Sequence, residues 1–211
     1  MKRLPKLVRQ FLAEMLGTFL LVLFGDGAIA QYVFLEQGAG HRNFISVALG
    51  YGFALMIGIL VSGGVSGGHL NPAVTLALAC VKKCRWLQVP VYWLAQYLGA
   101  LLGAAVLFGI YADAINAYGG KDFPTDGLSP GNAGIFASYP NAVASDVTLI
   151  FDQALGTACL LIIILAVTDG RNMKVSSGLV PLLIGLGLAA IHISLAFNAG
   201  CAINPTRDLS P

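Results

Sequence analysis

Apolar residues run almost unbroken through five stretches of the chain, approximately 11–35, 44–62, 86–111, 148–168 and 178–198. Each is near or above the roughly 20 residues that cross a bilayer as a helix. None alternates with the period of two that a barrel strand requires, and an open sheet cannot satisfy its backbone in lipid. The pattern predicts an all-α membrane protein. Two places interrupt it. "SGGHLNPAVTLAL" (Ser66–Leu78) sets two glycines, a His and an Asn-Pro pair where hydrocarbon would otherwise continue. "NAGCAINPTRDLSP" (Asn198–Pro211) repeats the Asn-Pro.

Composition agrees with the pattern. Of 211 residues 57% are hydrophobic and 10% charged, against about 25% charged in a soluble domain, and mean hydropathy is +0.79. The first apolar run is too long for a signal-peptide core and has no clear cleavage site, so it reads as a retained span. Positive residues gather at Lys2, Arg3, Lys6 and Arg9, at Lys82, Lys83 and Arg85, and at Arg171 and Lys174. The opposite loops hold only Arg42 and Lys121, beside Asp113, Asp122, Asp126 and Asp146. The bias places the N-terminus in the cytoplasm.

The two interruptions belong to a repeat. Leu16-Gly17-Thr18 pairs with Leu155-Gly156-Thr157 139 residues on, and Gly67 and Asn71-Pro72 pair with Gly200 and Asn204-Pro205 133 residues on. An odd number of spans per repeat inserts the halves with opposite topology. The units are a first repeat (1–111, spans 1–3), an extracellular connector (112–147) rich in Gly, Pro, Asn and Asp, and an incomplete second repeat (148–211, spans 4 and 5). Such a repeat calls for a sixth span, the counterpart of 86–111, so the 211 residues are expected to be a C-terminally truncated fragment. The expected architecture is an inverted-repeat helical bundle of five full spans and two re-entrant half-helices.

Asn71 fits an N-cap and Pro72 the first turn of a helix. From Asn71 to Cys80 such a helix covers about 15 Å, half the hydrocarbon thickness. The Gly-rich "SGGVSGGH" is then the extended part of a re-entrant loop, tolerated at that depth only if buried or lining water. Asn204-Pro205 enters from the other side, and the half-helices meet head to head. Their N-termini place about half an elementary charge each at mid-membrane. Each Asn oxygen caps its own helix and its NH2 faces the lumen. A water that accepts from both cannot relay a proton, and cations meet a positive barrier. Carbonyls of Gly67, Gly68, His69, Gly200, Cys201 and Ala202 would form the acceptor track.

"SGGHLNPAVT" and "GCAINPTRDLSP" resemble the signature loops of the major intrinsic protein family, the aquaporins and glycerol facilitators, over nearly the whole chain. "FDQALGT", "GIFASYP" and Asp208 directly after Arg207 are similar to the aquaglyceroporin branch. The resemblance implies central pore motifs at Asn71-Pro72-Ala73 and Asn204-Pro205-Thr206, with Thr206 where the family usually has Ala. It implies a constriction built from Tyr51, His192, Cys201 and Arg207. Glycerol facilitators typically carry Gly or Ala where His192 stands, so the frame points to glycerol and the filter to water. A packed histidine off the pore is the other reading of His192. Glu14 and Asp152, read as matching repeat positions, suit a proton relay, or accept from backbone N–H groups of the re-entrant loops, as the resemblance implies. The implied partners are water, glycerol and urea, the lipid bilayer and three further copies in a homotetramer; the implied location is the plasma membrane.

A secondary transporter shares the inverted repeat but needs a coupling-ion site, and no unpaired mid-membrane carboxylate is read beyond Glu14 and Asp152. An enzyme is disfavoured: "GGVSGGH" lacks the Lys-Ser/Thr of a phosphate loop, and His41, His69 and His192 are scattered. Cys80, Cys84, Cys159 and Cys201 form no disulfide framework, and Cys80/Cys84 lack further ligands for a metal. No cofactor, metal or nucleic acid is expected.

Overall fold

The computed structural model describes residues 4–37, 43–119 and 131–211. Its helices are α1 (Lys6–Gln37), α2 (Phe44–Ser66), α3 (Pro72–Cys80), α4 (Gln88–Ile110), α5 (Ala112–Gly119), α6 (Asp146–Thr168), α7 (Val180–Leu195) and α8 (Pro205–Leu209), with a 3-10 turn at Gly131–Ile135. No β-strand forms among the described residues. Among the described residues, four helices are long and apolar enough to span a membrane: Lys6–Leu35, Phe44–Ser66, Gln88–Ile110 and Asp146–Thr168. The fifth expected span is the shorter apolar helix α7, of 16 residues. It ends at Leu195, where the chain turns toward the second Asn-Pro. Arg42, Lys121, Asp122, Asp126, His41, Lys2 and Arg3 lie outside the described residues.

α1 packs on α2 and α4, α6 packs on α7, and α2 meets α7 across the two halves. Lipid offers no hydrophobic drive between apolar helices, so close backbone approach has to supply the contact. A Cβ at Gly52 would strike the carbonyl of Gly185 on α7, and one at Gly185 would strike that of Gly52. The halves therefore touch backbone to backbone. The apolar core centres on Val22, Leu55, Leu70, Val74, Leu188 and Ile203.

One boundary departs from the sequence reading. The span expected to end near 62 continues through Gly63 and Gly64 to Ser66, so the extended stretch begins only at Gly67. Within that stretch Ser62 turns its hydroxyl back to the Gly58 carbonyl one turn earlier. Gly67 then ends it in the left-handed region (φ 99°), its N–H returning to the Gly63 carbonyl. That conformation suits glycine and few other residues.

Candidate functional site

The two half-helices begin at Asn71 and Asn204. Each Asn is extended, and its Oδ1 accepts from the residue after the proline: from Ala73 N at 2.8 Å and from Thr206 N at 3.3 Å. The side-chain NH2 groups cross over. Asn71 Nδ2 donates to the Ile203 carbonyl and Asn204 Nδ2 to the Leu70 carbonyl, both at 2.9 Å. Each amide keeps one further N–H. Thr206 adds a hydroxyl that donates to Asn204 Oδ1 at 2.9 Å, a bond that alanine could not make, and its longer backbone contact reflects that shared acceptor.

Glu14 holds the first loop. Its Oε1 accepts from Ser66 Oγ (2.6 Å) and His69 N (3.0 Å), and its Oε2 from Leu70 N and Gln96 Nε2 (both 2.8 Å). Leu70 sits at φ 54°, a conformation uncommon outside glycine. Its fully buried side chain fills the gap left by Gly17 and Gly58. The second half repeats this in part, with Ile203 against Gly156. That is the physical content of the repeated Leu-Gly-Thr: a residue without Cβ receives the side chain preceding Asn-Pro. α4 anchors α3 through Trp93 Nε1, which donates to the Pro72 carbonyl at 3.2 Å.

Asp152 requires a correction. The 139-residue offset pairs Glu14 with Gln153, not Asp152, and the helical hydroxyls agree: Thr18 donates to the Glu14 carbonyl and Thr157 to that of Gln153. Asp152 accepts from Asn198 Nδ2 (3.1 Å) and Gln153 Nε2 (2.8 Å), and from no backbone N–H among the described residues. The second loop is held from outside instead. Asn141 N donates to the Asn198 carbonyl at 2.7 Å, and Ser138 N to Asp208 Oδ1 at 2.8 Å. The "GIFASYP" segment is thus a brace for the second loop, and Asp208 ties it to Arg207 through a 2.7 Å ion pair.

A cavity of about 380 Å³ runs from Lys83 and Thr168 up to Arg207. Leu55, Ile59, Leu160, Ile184 and Leu188 line it with hydrocarbon, and Gly67, Gly68, His69, Asn71 and Asn204 with polar groups. A second cavity of about 180 Å³ opens beyond it, lined by Tyr32, Phe44, Ser138, Tyr139 and Gly200 among others. Tyr51, His192, Cys201 and Arg207 are the four residues that line both. The four therefore form the neck between the cavities. Tyr51 and His192 stack with centroids 5.0 Å apart and planes 15° apart. Arg207 donates from Nε to the Tyr51 hydroxyl at 2.6 Å. His192 Nδ1 is 3.0 Å from the Leu188 carbonyl. Gly200 lines only the outer cavity and Ala202 neither.

Sequence reasoning missed three side chains at the neck and loops. Asp26 is buried on α1 against Tyr51 and Arg207, Ser138 accepts from Arg207 Nη1, and Gln96 bridges Glu14 and Thr75. A carboxylate inside an apolar run was the available signal for Asp26. Nothing local marks Ser138 or Gln96.

Mercury offers a direct check on the neck. Cys201 is its one thiol, whereas Cys80, Cys84 and Cys159 line neither cavity. Inhibition of flux by Hg²⁺ is expected to disappear in Cys201→Ser with the other three cysteines intact. Inhibition that persists would move the neck elsewhere.

The geometry is that of an inverted-repeat helical membrane protein whose half-helices meet end to end. A family model described as "Major intrinsic protein" matches residues 1–211. The chain belongs to that family. It is 46% identical over 205 residues to "Aquaporin-10" of Milnesium tardigradum, covering 97% of this chain and 50% of that protein. It is 49% identical over 199 residues to "Aquaglyceroporin-2" of Rhizophagus irregularis, covering 94% and 62%. Similarity to "Aquaporin-9" of Homo sapiens is 42% over 205 residues, covering 97% and 68%. The crystal structure of the aquaglyceroporin from Plasmodium falciparum superposes with a TM-score of 0.85 at 33% identity, over 97% of this chain and 79% of that one. The chain thus spans between half and about two thirds of the length of these curated relatives.

Proposed function

We propose that this chain forms the conducting path of a passive channel for water and small uncharged solutes, glycerol foremost. The observation that carries the reading is the cavity from Lys83 to the four-residue neck, lined both by hydrocarbon side chains and by polar groups of the loops. A polyol presents the same two kinds of surface, carbon-bound hydrogens and hydroxyls, so both can be matched at once. The relatives named aquaporin and aquaglyceroporin support the same reading. The test is paired swelling of proteoliposomes in glycerol and in an impermeant osmolyte. Both rates should exceed those of empty vesicles, and loss of the water response would remove the reading.

Protons and ions are excluded at the centre, where Asn71 and Asn204 each present a remaining N–H beside a half-helix N-terminus. The protein works as a homotetramer in the plasma membrane with Lys6, Arg9, Lys82, Lys83 and Arg85 toward the cytoplasm, as the basic bias supports.

A water-selective channel on the same frame is the second reading, and His192 favours it. An imidazole at the neck narrows the opening and replaces an apolar wall with a polar one. His192→Gly is expected to raise glycerol flux by a larger factor than water flux, on the order of tenfold in the ratio, since steric exclusion at a single-file neck changes rate exponentially with barrier height. An unchanged ratio would take His192 out of the selectivity argument.

A further inference from the structure

Asp26 lies in the middle of α1, fully buried. Its Oδ1 accepts from the Tyr51 hydroxyl and sits 3.3 Å from Arg207 Nε. Its Oδ2 is buried without a partner among the described residues. Gly25, one residue earlier, lacks the Cβ that would overlap the Tyr51 ring, so the ring can lie directly on α1. Asp208 contacts the same guanidinium at another nitrogen, Nη1, at 2.7 Å. One cation at the neck therefore faces two carboxylates.

Two consequences follow. The N–H groups of Arg207 are largely spent: Nε on Tyr51 and Asp26, Nη1 on Ser138 and Asp208, leaving Nη2 with only a 3.5 Å contact to the Ile135 carbonyl. The charge at the neck also changes sign. With both carboxylates ionised, Arg207, Asp26 and Asp208 together are not positive. Coulomb repulsion from an arginine then does little to turn cations back at this level.

We propose that Asp26 is a specificity-determining residue of the neck: the buried counter-charge that cancels Arg207 toward the lumen and fixes Tyr51 across it. The proposal rests on the channel reading above, and deepens it by making the charge of the neck a balance that Arg207 and Asp26 set together, in addition to the barrier at the Asn71/Asn204 centre. Asp26 does not touch the permeating solute; it acts through Arg207 and Tyr51.

The test uses proteoliposomes of the parent, Arg207→Val, and Arg207→Val with Asp26→Asn, with potassium and proton leak normalised to folded protein recovered. Removing Arg207 uncovers a carboxylate beside the lumen that takes up a cation or proton, so leak should rise by about tenfold or more. Adding Asp26→Asn removes that charge and should return leak to within about twofold of the parent. A double variant that leaks like the single one, or a single variant that does not leak, overturns the proposal. Should Arg207→Val fail to fold, Asp26→Asn alone decides. It keeps an acceptor for Tyr51 but leaves the guanidinium one counter-charge fewer, so nitrate flux should rise by about threefold. Unchanged nitrate flux in folded Asp26→Asn overturns the proposal. Water flux of the parent is read separately, so failure of the channel reading shows there and not in the leak ratios.

Discussion

Replacing Glu14 by Ala is expected to abolish folded protein. Four donors converge on this carboxylate, and two of them, His69 N and Leu70 N, are backbone groups of the re-entrant loop. Leaving a buried donor unpaired costs about 1–3 kcal/mol, so the two backbone groups alone lose about 2–6 kcal/mol. That is a large part of the ~5–15 kcal/mol that holds a typical domain together. Leu70 adds to the loss, because its left-handed backbone persists only while its surroundings over-determine it. Glu14→Gln should be intermediate, since it offers one acceptor and sets its own NH2 against the remaining donors. Asp152→Ala should be milder than Glu14→Ala, because its partners are the side chains of Asn198 and Gln153, which can turn elsewhere. Recovery of folded protein in detergent and water flux per folded unit measure all three. Normal recovery of Glu14→Ala would show that the first loop is held by something else.

Asn71→Asp and Asn204→Asp carry the second large effect. Each Nδ2 that now donates at 2.9 Å to the opposing loop would become an oxygen facing a carbonyl oxygen. The surviving Oδ1 still caps its helix, so the half-helix itself is not lost. The added negative charge cancels much of the roughly one positive unit that two half-helix N-termini supply together. Potassium or proton leak is therefore expected to rise by about tenfold or more per folded channel, with recovery of folded protein reduced. Folded variants with unchanged water flux and no leak would refute the role assigned to the central donors.

The parts of this architecture legible in the sequence are those whose chemistry is local. Asn-Pro fixes an N-cap and a first turn without help from the rest of the chain, and the repeated Leu-Gly-Thr marks where a side chain from the loop must be received. Spans follow from length and hydropathy, although α7 proves shorter than its apolar run. Tyr51, His192, Cys201 and Arg207 were named by resemblance, and their meeting in one neck depends on how α2, α7 and the second loop pack. What stayed hidden depends on partners far away in the chain. Gly63 and Gly64 read as loop, yet helix-internal bonds keep them in α2. Asp152 drew attention as a carboxylate, while the repeat offset assigns its place to Gln153. Asp26 was passed over inside an apolar run, because only packing reveals that Tyr51 and Arg207 converge on it.

Tracer counterflow tests the passive-channel account most directly. Vesicles reconstituted with the protein are preloaded with unlabelled glycerol, diluted into labelled glycerol, and followed with and without proton and sodium gradients. A continuous pore predicts uptake proportional to solute concentration, no transient accumulation of label, and no response to either gradient. Label that overshoots its equilibrium level, or uptake driven by an ion gradient, would mean an alternating-access carrier and would contradict the account.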